Sequence, residues 1–360
     1  MKSQFGEILL NWSAENPREM PWSGERDPYK IWLSEIILQQ TRVEQGLPYY
    51  IAFTQNYPTV TDLANADIDA VLLLWQGLGY YSRARNLHAA AQHIRDDYEG
   101  IFPADYKGVR AIKGVGDYTA AAICSFAYDL PYAVVDGNVY RVLSRIFGIH
   151  TPIDTTEGKH EFRELAQSLL ATDAAAAYNQ AIMNFGAMQC TPKLPNCKGC
   201  PFATSCVAFK DDLVTLLPNK IRKIAKRTRF FNFLVLKNNE NIWVQQRGEK
   251  DIWQGLYQFP LIETDKVIPY YDELVALPQY QALVAENTIQ LYNTFSANQL
   301  LTHQRIEATF WIFETDATII LDKNDSYLLV EQKKIANFAF PKVICTYLER
   351  SELVLTLNLQ

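Results

Sequence analysis

Cys190, Cys197, Cys200 and Cys206 form the pattern Cys-x6-Cys-x2-Cys-x5-Cys, while Cys124 and Cys345 lie apart in apolar segments. A gap of two residues lets neighbouring thiolates point at one centre, and the outer pair closes the loop, so four sulfurs can surround a metal or a cluster. In a reducing compartment such a group is a metal site before it is a set of disulfides. Four soft ligands suit zinc as well as iron and sulfide, and spacing does not decide between them. The same loop carries Lys193 and Lys198 among Pro192, Pro195 and Pro201. A bound centre that held the loop rigid would present those lysines to a polyanion; the alternative is a merely solvated loop.

Two carboxylates stand in contrasting settings. Glu35 lies in Trp32-Leu33-Ser34-Glu35-Ile36-Ile37-Leu38, flanked by apolar residues at helical spacing. Burial there would raise its pKa and keep a proton available. Asp136 follows the apolar run Tyr132–Val135 in Asp136-Gly137-Asn138, where a turn or helix start would keep it ionised and aimed. Two carboxyl groups in different environments can divide the roles of acid and anion between them. Each also has a structural explanation, Glu35 as a solvated helix residue and Asp136 as a helix cap.

A third pattern, Ile112-Lys113-Gly114-Val115-Gly116-Asp117-Tyr118-Thr119, precedes the small apolar stretch Ala120–Ala127. Gly114 and Gly116 permit positive φ and a close backbone approach, and the amides opening the next helix face outward with the positive end of its dipole. A backbone phosphate fits such a turn. The helical pattern of Asp105–Ala111 before it makes a helix, hairpin, helix unit with the turn at its apex.

These residues need elements to hold them. From residue 3 to about 213 apolar residues recur at three- and four-residue spacing, as in Trp32, Leu33, Ile36, Ile37 and in Val71, Leu74, Trp75, Leu78, which predicts an all-α domain over 1–213 with the cysteine loop at 190–206. Lys220, Arg222, Lys223, Lys226, Arg227 and Arg229 then mark 214–230 as a basic linker. Beyond it, Phe231–Leu236, Ile242–Gln246 and Thr309–Phe313 are rich in β-branched and aromatic residues, which predicts a strand-rich α+β domain over 231–360. The 360 residues exceed what one core usually organises, and with 48% apolar and 21% charged residues disorder and a disulfide scaffold are both excluded. The formal net charge of −6 does not advertise a nucleic-acid binder, but binding depends on where the cations sit. The N-terminus lacks the plan of a signal peptide and no stretch nears the roughly 20 apolar residues that span a bilayer. A soluble, cytosolic protein with no membrane partner is expected.

The hairpin, followed by Val134-Val135-Asp136-Gly137-Asn138-Val139 and then by the four-cysteine loop, resembles the helix-hairpin-helix DNA glycosylase superfamily, the group that includes endonuclease III. Ser34–Val43, Gly77-Leu78-Gly79-Tyr80-Tyr81-Ser82-Arg83 and the strand-rich C-terminal domain narrow the resemblance to the MutY-type adenine DNA glycosylases, over essentially the whole chain. The resemblance implies a multidomain protein: an all-α helix-hairpin-helix glycosylase domain with a four-cysteine cluster loop, and a C-terminal α+β Nudix-like domain. It implies one 4Fe-4S cluster on the four cysteines and, as partner, duplex DNA carrying an 8-oxoguanine:adenine mispair, bound by a monomer in a bacterial cytosol.

By motif match Glu35 resembles the general acid at adenine N7, Asp136 the carboxylate facing the cationic sugar, and Asn138 the residue that orients that aspartate. Bifunctional members place a lysine two residues beyond the second hairpin glycine; Tyr118 stands there, which implies base removal without efficient strand cleavage. Gly114, Gly116 and Tyr118 would meet the DNA at the hairpin. Gln40 and Tyr80 match residues inserted into the base stack, flanked by Gln39 and Thr41, and Trp22 and Gln180 match residues lining an adenine pocket. In Leu301-Thr302-His303, Thr302 and His303 match a loop that probes 8-oxoguanine, although Leu301 replaces an aromatic residue. Two further departures are Ser23, where an arginine is common (Arg26 follows), and Asn184, where an acid is common. The run of glutamates that a Nudix hydrolase needs for magnesium is missing between 230 and 360, so the second domain reads as a sensor. The alternatives are an endonuclease III-like glycosylase and lyase for oxidised pyrimidines, which Tyr118 and the extra domain disfavour, and a non-catalytic cluster-containing DNA-binding protein.

Overall fold

The structure is a computed structural model, describing residues 2–221, 226–238, 240–284, 289–315 and 327–351. It divides into two compact units, Met1–Asn65 with Asn86–Lys223, and Ala66–Arg85 with Ile224–Gln360. Among the described residues the first unit is all helix. In its helix Gly137–Phe147, Val139, Val142, Leu143 and Ile146 recur at positions i, i+3, i+4 and i+7 and are buried with Phe5, Trp12, Phe162, Tyr178, Phe185 and Phe202. Full burial of each such apolar side chain contributes about 1.5–3 kcal/mol. That packing fixes the helix whose N-cap is Asp136.

Helix Pro28–Leu38 starts on Asp27, whose side chain accepts from the Tyr29 amide, with Pro28 in the first turn. Ile31, Trp32, Leu33, Ile36 and Ile37 bury almost its whole circumference. A helix apolar all round belongs to an interior, so Glu35 is carried into the core rather than onto a solvated face.

The second unit is built on a mixed sheet. Its strands are β1 (Arg227–Asn238), β2 (Asn241–Gln246), β3 (Tyr257–Gln258), β4 (Leu261–Thr264), β5 (Gln290–Leu300), β6 (Gln304–Thr315) and β7 (Tyr327–Glu331), in the order β3-β2-β1-β6-β5 with β4 on β1 and β7 on β2. β1 runs parallel to β6 and is buried continuously from Phe231 to Leu236, as a central strand covered on both faces should be. One side of the sheet packs Leu234, Leu236, Trp311 and Phe313 against Leu274, Tyr280 and Leu283 of two short helices. Helix Lys342–Arg350 supplies Tyr347, whose ring stacks on Phe310 at 4.7 Å.

Segment Ala66–Arg85, read from the sequence with the N-terminal helices, packs in this second unit. Asp69 accepts from Gln246 Nε2 and from the Tyr257 hydroxyl, both at 3.0 Å. Gln76 Oε1 accepts from the Phe340 amide at 2.7 Å, and Arg85 donates to the Gln254 carbonyl at 2.8 Å. The basic run also divides differently from its reading as a linker. Arg222 and Lys223 lie outside the described residues, and β1 already begins at Arg227. Arg229 is an ion-paired strand residue, bonded to Asp251 at 2.8 Å and Glu263 at 2.6 Å. Among the described residues no helix is long and apolar enough to cross a membrane.

Candidate active site

Glu35, Tyr118, Asp136 and Asn138 line one cleft of the first unit, of about 790 Å³, together with Trp22, Gln39, Gln40, Thr41 and Gln180. Glu35 keeps some surface open to this cleft, yet loss of hydration governs its carboxyl. Burial, reinforced by the charge of Asp136, pushes its pKa up to about 7, against an opposing hydrogen bond from the Tyr118 hydroxyl. The Tyr118 phenol is in turn held well above its ordinary range by burial and by the two carboxylates. Its hydroxyl also lies 3.7 Å from the Met183 sulfur. Tyr118→Phe removes the hydrogen bond that lowers the Glu35 pKa, so the acid should stay protonated to higher pH. The alkaline limb of a pH–rate profile should move upward from about 7, and an unmoved limb would count against the contact.

Asp136 caps its helix: Oδ1 accepts from the Val139 amide and Oδ2 from Asn138 Nδ2, both at 2.8 Å. These donors, with the nearby Arg141 charge, favour the carboxylate, but burial outweighs them and holds its pKa above the ordinary value. The turn therefore aims the group as its sequence suggests, without keeping it at the acidity of an exposed aspartate. Arg141 was missed at the sequence level. It donates to Asn138 Oδ1 at 2.8 Å, to the Gly186 carbonyl at 2.5 Å and to the Cys190 carbonyl at 2.7 Å. Asn179, also missed, is fully buried and bonds both the Tyr132 carbonyl and the Val134 amide, pinning the run that leads to Asp136. Arginines at 141 and 145 within an otherwise apolar helix were the available signal, because a buried cation requires partners.

The hairpin joins helix Tyr106–Ala111, capped by Asp105 on the Gly108 amide, to helix Asp117–Tyr128. Gly114 has φ +80°, as the turn requires, whereas Gly116 is an extended N-cap with φ −87°, so only the first glycine needs the left-handed region. A side chain at Gly116 would meet nothing within 4 Å, leaving its backbone open to a close ligand. Asp117, in the first turn, is neutralised by Arg110 at 2.7 Å and Arg163 at 2.5 Å.

Gln40, exposed with φ +57°, stands with Gln39 and Thr41 beyond the end of the Pro28–Leu38 helix. Trp22 packs edge-on to Tyr50, and Ser23 closes its turn by accepting from the Met20 amide at 2.9 Å. Arg26 lines the same cleft and donates to the Phe126 carbonyl. In the second unit Thr302 and His303 form the tip of the β5–β6 hairpin, closed by Leu301 N–H to the Gln304 carbonyl at 2.8 Å. The Tyr80 hydroxyl lies 2.7 Å from Thr302 Oγ1. Tyr80 itself has φ +50°, and the Arg83 guanidinium lies 5.4 Å from its ring centre. Two residues 222 positions apart in sequence thus meet in one unit.

Cys190, Cys197, Cys200 and Cys206 are free thiols around one small pocket, walled by Arg145, Phe185 and Phe209. Burial and mutual repulsion raise Cys197, Cys200 and Cys206, a set that is costly to ionise without a cationic centre. Arg145 Nη1 lies 3.5 Å from the Cys190 sulfur. Among the described residues no group of three Cys, His, Asp or Glu side chains closes on a single ion.

A helical unit with a glycine hairpin, a four-thiol loop and two carboxyls in one cleft defines a base excision repair protein of the helix-hairpin-helix class. Residues 33–168 match the family described as HhH-GPD superfamily base excision DNA repair protein, and residues 232–350 match the NUDIX domain. The chain is 34% identical to an adenine DNA glycosylase of Buchnera aphidicola (subspecies Schizaphis graminum) over 72% of its own length and 75% of the relative's. It is 39% identical to the human adenine DNA glycosylase over 57% of its length and 39% of that protein's. Among solved structures, a thermostable thymine-DNA glycosylase matches with TM-score 0.55 and 28% identity, covering 58% of this chain and 97% of that one. Endonuclease III in a non-covalent DNA complex matches at 21% identity and TM-score 0.52 over 59% of this chain and 98% of its own, a likeness of fold. The chain belongs to the adenine DNA glycosylases.

Proposed function

We infer that the chain removes adenine mispaired with 8-oxoguanine, or with guanine, from duplex DNA in base excision repair, as a monofunctional hydrolase. The observation that carries this reading is the shared cleft, in which Glu35 is held near pH 7 and Asp136 is fixed by Val139 and Asn138. Cleaving an N-glycosidic bond requires a proton for the departing base and negative charge near the sugar left behind. The Glu35 proton passes to purine N7. The C1′–N9 bonding pair then leaves with the base, and the developing positive charge on C1′ faces Asp136. Glu35, now a carboxylate, takes a proton from the water that attacks C1′. No lysine lines the cleft among the described residues, and Tyr118 stands at the hairpin position, so no amine is available to capture the sugar and cut the strand.

The endonuclease III-like family generally binds a 4Fe-4S cluster. Here Cys190, Cys197, Cys200 and Cys206 would hold it: the donor set is all sulfur and surrounds one pocket. When bound, the cluster acts as a cross-link that stiffens the loop bearing Lys193 and Lys198. Gln39, Gln40, Thr41, Gly114 and Gly116 would contact the DNA, Trp22 and Gln180 the everted adenine, and Tyr80, Thr302 and His303 the 8-oxoguanine. We take the active form to be a monomer of the bacterial cytosol.

The test is a base-release assay on duplexes with adenine opposite 8-oxoguanine, adenine opposite guanine, or thymine glycol. The expected result is an abasic site in the adenine duplexes, with the strand cut only after added alkali. Release of thymine glycol, or strand cutting as fast as base loss, would reject the reading in favour of a lyase.

A further inference from the structure

Gln180 and Asn184 sit one turn apart on helix Ala175–Met188, and both line the catalytic cleft. Gln180 Nε2 donates to Asn184 Oδ1 at 3.0 Å. Asn184 is buried, whereas Gln180 keeps part of its surface open. Gln180 Oε1 accepts no hydrogen bond among the described residues, so in this arrangement the glutamine is left with an acceptor for a ligand. That acceptor suits the exocyclic amine of a 6-aminopurine. Hypoxanthine, a 6-oxopurine of the same size, offers an acceptor there and needs a donor instead.

An amide at 184 differs from a carboxylate in that its oxygen accepts while its nitrogen donates. Turning both amides over gives a bond from Asn184 Nδ2 to Gln180 Oε1, retains one hydrogen bond within the pair, and turns Gln180 Nε2 outward as a donor. Each arrangement keeps one hydrogen bond within the pair, so a bound base can select whichever complements it. We propose that Asn184 makes Gln180 a reversible reader of the purine 6-position, so that the same cleft releases hypoxanthine as well as adenine from duplex DNA. The proposal rests on the glycosylase reading above, and its chemistry is the same hydrolysis. Hypoxanthine gains the Glu35 proton at N7 and leaves with the N9 bonding pair, water oxygen bonds C1′, and the water proton returns to Glu35. Asn184 touches no reacting atom and acts as a positioning residue for Gln180.

Single-turnover release from matched duplexes carrying adenine or hypoxanthine opposite 8-oxoguanine, at pH 8, tests this in the wild type, Asn184→Asp and Gln180→Glu. A carboxylate at 184 only accepts, which locks Gln180 with its oxygen outward. A carboxylate at 180 accepts from Asn184 Nδ2 and likewise turns an acceptor outward. The ratio of hypoxanthine to adenine rates should fall at least about tenfold in each variant, the cost of an acceptor facing an acceptor. The ratio is internal to each protein, and if either variant fails to fold the other reads the same quantity. Adenine release without hypoxanthine release in the wild type, or an equal ratio in wild type and variants, overturns the proposal. Release of neither base overturns the glycosylase reading itself.

Discussion

Glu35→Gln is expected to slow adenine release by about 10²–10⁴-fold, the usual contribution of a general acid, while leaving affinity for the mispaired duplex essentially unchanged. On the proposed reading the side chain is the cleft's proton source, because burial disfavours its charged form. Its neighbours Ser34, Ile36 and Ile37 are buried, and the Asp136 charge adds to the cost of ionising a second carboxyl nearby. Glutamine keeps the volume and can still accept from the Tyr118 hydroxyl, so melting temperature should not move. Binding depends chiefly on phosphate contacts, which a neutral acid does not make. The wild type supplies a second measurement. With Glu35 near 7 and active in its protonated form, the rate should fall about tenfold per unit above that pH, and Glu35→Gln should lack this limb. A Gln variant that retains full activity with the same pH profile would remove Glu35 from the chemistry.

Much of this geometry could be read in one dimension because it follows from local rules. The apolar residues around Glu35 recur on every side of its helix, and only burial satisfies such a sequence. Asp136 follows an apolar run and precedes a glycine, the setting of a helix cap. What could not be read depends on contacts between distant residues. The pairing of Tyr80 with Thr302 closes a separation of 222 positions, and nothing in the helical pattern of Ala66–Arg85 reports that Asp69 bonds Gln246 and Tyr257. Gly116 reads as a glycine needed for positive φ at the turn, but it is an extended N-cap with open space beside it. Arg229 reads as one more basic residue until the sheet brings Asp251 and Glu263 to it.

Arg141→Leu should cost the first unit about 3 kcal/mol or more and depress base release beyond what that destabilisation explains. The guanidinium is buried and bonds the carbonyls of Gly137, Gly186 and Cys190 together with Asn138 Oδ1. Leucine matches its apolar stem but leaves those acceptors unsatisfied, at about 1–3 kcal/mol for each that water cannot reach. For a unit of this size the melting temperature should fall by roughly 6–12 °C. The activity argument is separate from the stability argument. Arg141 orients Asn138 through Oδ1, and Asn138 in turn donates its Nδ2 to Asp136 Oδ2, so loss of the arginine frees the asparagine to turn over and present its oxygen to the carboxylate. The same guanidinium ties this turn to the Cys190 carbonyl, at the start of the cysteine loop. Asn138→Ala, which removes the last link and leaves Arg141 bonded to its carbonyls, separates the two effects: it should reproduce most of the loss in base release with a smaller fall in melting temperature. If Arg141→Leu lowers stability while single-turnover release below the transition stays at the wild-type rate, the arginine is only a structural brace and the orientation of Asp136 does not depend on it.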